Sequence, residues 1–145
     1  MSDKKEAFIR WQGRSLDYLS YAINLILTFS VAGIGFEAKL LSEDTFSPIG
    51  FAKPVFMSSI AFFILAGAVG FACIINRIKD FKDTAAIARK KTKDEYDAEL
   101  LELRELVGIL GKNTRRYFNW QSSLFCTAVI LLIISFSLMY QHKLF

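Results

Sequence analysis

A chain of 145 residues with a formal charge of +4 is near the size of one domain, roughly 100–200 residues, which argues against a catalytic domain joined to a separate regulatory one. Its hydrophobic fraction of 53%, with 14 phenylalanines, exceeds the ~45–50% of soluble domains and rules out a disordered chain, while two cysteines rule out a disulfide scaffold. The apolar surplus points to lipid.

The N-terminal segment spreads Lys4, Lys5, Arg10 and Arg14 among Phe8 and Trp11, too long and mixed for the head of a cleavable signal, so the apolar run that follows reads as a retained span. That run, residues 16–36, meets the ~20 residues that a ~30 Å hydrocarbon core requires. Asp17 stands only at its mouth. Asp17, Ser20, Asn24 and Thr28 share one helix face, which Gly35 nearly extends. A polar stripe in an apolar helix should face protein or water; it serves either as glue between helices or as the lining of a small path. Glue is the favoured reading, because one Asn and a few hydroxyls are ordinary in packed spans.

A short loop with Pro48 and Pro54 leads to a second span at residues 55–75. Ala66-x-x-x-Gly70 is small-residue spacing that lets backbones approach, and Ser59, Ala66, Gly70 and Cys73 lie along one side, suited to the polar face of the first span. Residues 76–113 are too many for a tight loop and keep helical spacing. Ile74, Ile78, Phe81, Ala85 and Ala88 continue the second span as an apolar stripe, with Lys79, Asp80, Lys82 and Asp83 turned to water. Thr92-Lys93-Asp94-Glu95 fits a capping box that starts a new helix, in which Tyr96, Leu100, Leu103, Val107 and Leu110 alternate by four and three. Gly108, Gly111 and Asn113 are expected to end or bend that helix. The two stripes predict an antiparallel hairpin with Phe81, Tyr96, Leu100, Leu103 and Val107 at its interface, within one subunit or between copies. The third span covers residues 120–140, and neither it nor the second holds a charged side chain inside.

Of the Lys and Arg residues, four precede the first span and 11 lie in the connector, against two in the Pro48/Pro54 loop and one in the tail. The positive-inside rule then places the N-terminus and the hairpin in the cytoplasm and the C-terminus outside. Eight acids in the connector remove any clean basic face, so nucleic acid is not an expected partner. Trp11 and the Tyr117/Phe118/Trp120 group suit aromatic belts, and Arg89-Lys90-Lys91 and Arg115-Arg116 are candidate contacts for anionic lipids.

No chemistry-bearing motif emerges. Cys73 and Cys126 lack a C-x-x-C spacing, His142 stands alone, and Asp94 and Glu95 are explained by capping, so no catalytic, cofactor-binding or metal-ligating residue is assigned and no enzyme is expected. The words RWQ at 10–12, YAINLIL at 21–27, AGIGF at 32–36, INRIKDF at 75–81, IARK at 87–90 and NWQ at 119–121 resemble small three-span bacterial inner-membrane proteins. That resemblance implies an inner-membrane location and carries no activity or site. The expectation is an all-α membrane protein: three transmembrane helices, with a cytoplasmic antiparallel helical hairpin between spans two and three. Its expected role is that of a structural or interaction protein that self-assembles or binds a membrane-complex partner. The alternative is an oligomeric pore or channel-like effector.

Overall fold

The computed structural model describes residues 2–43, 46–92 and 98–140, with side chains at 11, 13–43, 46–90 and 101–140. It is all-helical: α1 is Ser2–Leu41, α2 is Ala52–Thr92 and α3 is Ala98–Met139. All three are long and apolar enough to cross a membrane, over Gly13–Leu41, Ala52–Lys90 and Leu101–Met139, the architecture of a multi-pass membrane protein. With 40 to 42 residues each, they reach ~60 Å, about twice the hydrocarbon core, so each extends well past the apolar layer.

Turn chemistry joins α1 to α2. The Ser42 amide donates to the carbonyl oxygens of Ala38 and Lys39, and its hydroxyl donates to Lys39 O at 2.7 Å, satisfying carbonyls that a helix end would orphan. Gly50, at φ 61°, takes the left-handed conformation just before α2 starts. Pro54 falls in the first turn, where its missing N–H costs nothing. Phe46 pins the loop to the bundle, its ring 5.0 Å from that of Phe56 and 6.3 Å from that of Phe136.

α2 and α3 pack along each other, and α1 leans chiefly on α2. The inward face of α2 is Ala52, Phe56, Ser59, Phe63, Ala66, Gly70, Cys73 and Arg77, alternating by four and three without a break, and all are buried. On α1 the buried residues Ile23, Ser30 and Glu37 recur every seven, as do Thr114, Gln121, Ala128 and Ser135 on α3. A 3.5-residue repeat keeps one seam facing the neighbour and gives left-handed, coiled-coil-like packing. The approach is closest where residues are smallest: a Cβ on Gly33 would stand 2.9 Å from the Phe63 ring, and one on Gly70 would overlap the Gln121 amide. Outward, Phe29, Val31, Ile64, Leu65, Phe71, Ile130 and Ile133 are exposed, an apolar jacket suited to acyl chains.

Two expectations need correction. α3 runs through Gly108, Gly111 and Asn113 without ending, because packing against α2 outweighs a glycine cost of about 1 kcal/mol each. α1 itself runs on past residue 36, the expected end of the first span, and buries Glu37 in the seam. Beyond Cys73, the side of α2 turned inward carries Asn76, Arg77 and Asp80, whereas Ile78 and Phe81 are exposed and Ala85 and Ala88 stand outward with them. The seam set by the packed span continues past it to Arg77 and leaves the apolar stripe turned outward.

Candidate functional site

Polar residues occupy the seam at three levels. At one end of the bundle, Asn76 on α2 donates through Nδ2 to Leu110 O and to Thr114 Oγ1 on α3, both at 2.8 Å, while Thr114 Oγ1 donates to Leu110 O at 3.0 Å. Cys73 Sγ donates to Thr114 O at 3.5 Å. Arg77, one residue on, turns to α1 and donates through Nη2 to Leu16 O at 2.6 Å. Its guanidinium lies 5.4 Å from the centre of the Phe81 ring, a cation–π contact, and its Nη1 is buried without an acceptor among the described residues.

Midway, Gln121 is fully buried and reaches from α3 over Gly70 of α2 to α1, where Nε2 donates to Ile23 O at 3.2 Å. The absence of a side chain at Gly70 creates the room this amide occupies. At the far end, Glu37 on α1 meets Ser59 on α2, whose hydroxyl donates to Glu37 Oε1 and also lies 2.8 Å from Phe56 O. Both residues are fully buried, and Glu37 Oε2 has no hydrogen-bond partner among the described residues. Ser135 Oγ donates to Ala52 O at 3.3 Å, tying α3 to the start of α2. Each such bond between helices contributes about 0.6–2 kcal/mol. Their chemical capacity is to fix register and rotation: an apolar helix slides against another at small cost, whereas sliding here separates donors from their acceptors on the neighbouring helix.

The sequence-selected residues fall in two groups. Ala66 and Gly70 lie in the seam. Asp17, Asn24 and Thr28 are exposed and Ser20 is half-buried; Thr28 donates to Asn24 O within its own helix, and Ser20 and Asn24 line a groove between α1 and α2. Of the hairpin residues, Leu103 and Val107 are half-buried between exposed neighbours and Phe81 is exposed; Tyr96 and Leu100, with all four capping-box residues, lie outside the described side chains. Glu37, Arg77, Thr114 and Gln121 were missed. Their signal was recurrence every seven residues along each helix, which a search for clustered polar residues on one span passes over.

Both cysteines are free, Cys73 buried and Cys126 exposed, and no group of His, Cys, Asp or Glu among the described residues is placed to hold a metal ion. No protein-family model, curated protein or solved structure matches the chain.

Proposed function

We propose that the chain is an integral membrane interaction protein whose α2–α3 pair stands beyond the bilayer as a platform for a second copy or a membrane-complex partner. One observation carries the reading: the pair stays bonded through Asn76, Leu110 and Thr114 past the last uncharged turn of the second span, and then displays Leu101, Leu106 and Ile109 at 68%, 46% and 52% exposure. Arg77, Lys79, Arg115 and Arg116 mark where charge begins on both helices, so these apolar side chains lie on the water side of the lipid boundary. Apolar groups displayed in water beside charged ones fit a surface that is covered in use. The inter-helix polar bonds support a rigid support for that platform. Asn24 and Thr28 stand outside the three-helix bundle, so a conducting path would have to form between copies.

A photo-crosslinking residue placed at Leu106 in living cells tests the platform. Adducts at multiples of the chain mass are expected for self-assembly, and a discrete heavier adduct for a partner. Absence of any adduct, with efficient crosslinking from a lipid-facing control at Ile133, would overturn the proposal.

The charge distribution supports a cytoplasmic platform, with the N-terminus inside and the C-terminus outside. A cysteine at Ser47 should then react with an impermeant thiol reagent added to intact cells, and one at Arg89 should react only after lysis. The opposite labelling would invert the topology.

A further inference from the structure

The groove between α1 and α2 at the Arg77 end combines a buried cation with a lipid-level position. Arg77 is 8% exposed and lines the groove together with Ser20 and Asn24, while Ile74, Ile78 and Phe81 form its apolar part. Among the described residues only one of the two terminal nitrogens has an acceptor: Nη2 donates to Leu16 O, and the buried Nη1 has no hydrogen-bond partner. A guanidinium stays charged under all ordinary conditions, and burying it without a counter-charge is expensive. Asp80, one turn along α2, lies within electrostatic reach of Arg77 but makes no hydrogen bond to Nη1, and its own Oδ1 is buried and unpartnered among the described residues.

We propose that this groove binds the phosphodiester of an anionic phospholipid, with Arg77 as the charged anchor, Ile78 and Phe81 packing on the headgroup side and an acyl chain running toward the bilayer centre past Ser20, Ile23, Asn24 and Ile74. The position selects lipid over a soluble anion. Arg77 lies one residue past Asn76, where the apolar run of α2 gives way to Lys79, Asp80 and Lys82, the level at which headgroups sit. The groove's lining is mostly apolar, which suits a chain attached to the phosphate.

The test uses the full chain in a neutral detergent, titrated with dioleoylphosphatidylglycerol, dioleoylphosphatidylcholine or inorganic phosphate, with bound lipid counted by native mass spectrometry. Phosphatidylglycerol should be retained about five- to tenfold better than phosphatidylcholine, and inorganic phosphate should not displace it. Arg77→Gln should erase the preference, as should Asn24→Leu, which fills the groove while leaving the Arg77 to Leu16 bond in place. Should Arg77→Gln fail to fold, Asn24→Leu decides alone. The double change Arg115→Gln/Arg116→Gln should leave the preference intact. Equal retention of the two lipids, a preference that survives Asn24→Leu, or one that disappears with Arg115 and Arg116 would overturn the site. Displacement by inorganic phosphate would reassign it to a free anion and overturn the lipid.

Discussion

Gly70→Leu should destabilise the bundle by about 1–3 kcal/mol, the usual cost of forcing extra methylenes into a packed contact, while Gly67→Leu should change stability by less than about 1 kcal/mol. The two glycines are a turn apart on α2 and differ in what stands over them. A Cβ at Gly67 meets nothing within 4 Å, whereas one at Gly70 overlaps the Gln121 amide. Side-chain amides often swing aside cheaply, but Gln121 is fully buried and its Nε2 is the donor to Ile23 O. Moving it detaches α3 from α1, two helices that otherwise touch little. Unfolding by a denaturing detergent, followed by far-UV circular dichroism, measures both variants. Equal stabilities for the Gly67 and Gly70 variants would show that the Gln121 bridge contributes nothing. Gln121→Leu provides the matching partner: combined with Gly70→Leu it should cost less than the sum of the two changes, because both remove one tether.

The three helices are legible in the sequence because lipid imposes a length and an apolar composition that no soluble element shares, and residues 16–36, 55–75 and 120–140 display both. The continuation of α2 past residue 75 is legible too, since helical spacing persists into the charged region. Inside the bilayer the usual contrast fails. Where outside and inside are equally apolar, hydropathy no longer says which face is buried. Phe29, exposed, and Phe63, buried, look alike in the sequence; only the neighbour settles it, Gly33 lying under the Phe63 ring. For the same reason Asp17, Ser20, Asn24 and Thr28, adjacent on a helical wheel, draw the eye, while Glu37 and Gln121 appear as isolated polar residues at span ends. What marks them is register. Glu37 follows Ile23 and Ser30 by sevens, and Gln121 lies seven after Thr114, the rhythm that a left-handed helix pair imposes on whatever it buries. Gly108, Gly111 and Asn113 mislead in the opposite sense, because local breakers lose to a helix held from the side by Asn76.

Ser59→Ala should be the more damaging of two single changes at the far end of the seam, and a second change should undo most of the harm. Ser59 supplies the hydrogen bond to the fully buried Glu37, whose other oxygen has no hydrogen-bond partner among the described residues. Removing the hydroxyl leaves a buried carboxyl with no hydrogen bond at either oxygen, at about 1–3 kcal/mol and more for a charged group. Replacing Glu37 with the similarly sized Met removes the polar group itself, so Glu37→Met should be near neutral or stabilising, within about 1 kcal/mol. The Ser59→Ala/Glu37→Met double variant should then recover to within about 1 kcal/mol of the parent, giving a coupling well above the additivity error of about 0.3–0.5 kcal/mol. The same detergent unfolding assay measures all four proteins. Additive losses would mean that the two side chains do not depend on each other. Recovery of the double variant to parental stability would show that the acid is dispensable for folding and would mark Glu37, an expensive residue to keep inside an apolar helix, as retained for a role beyond stability.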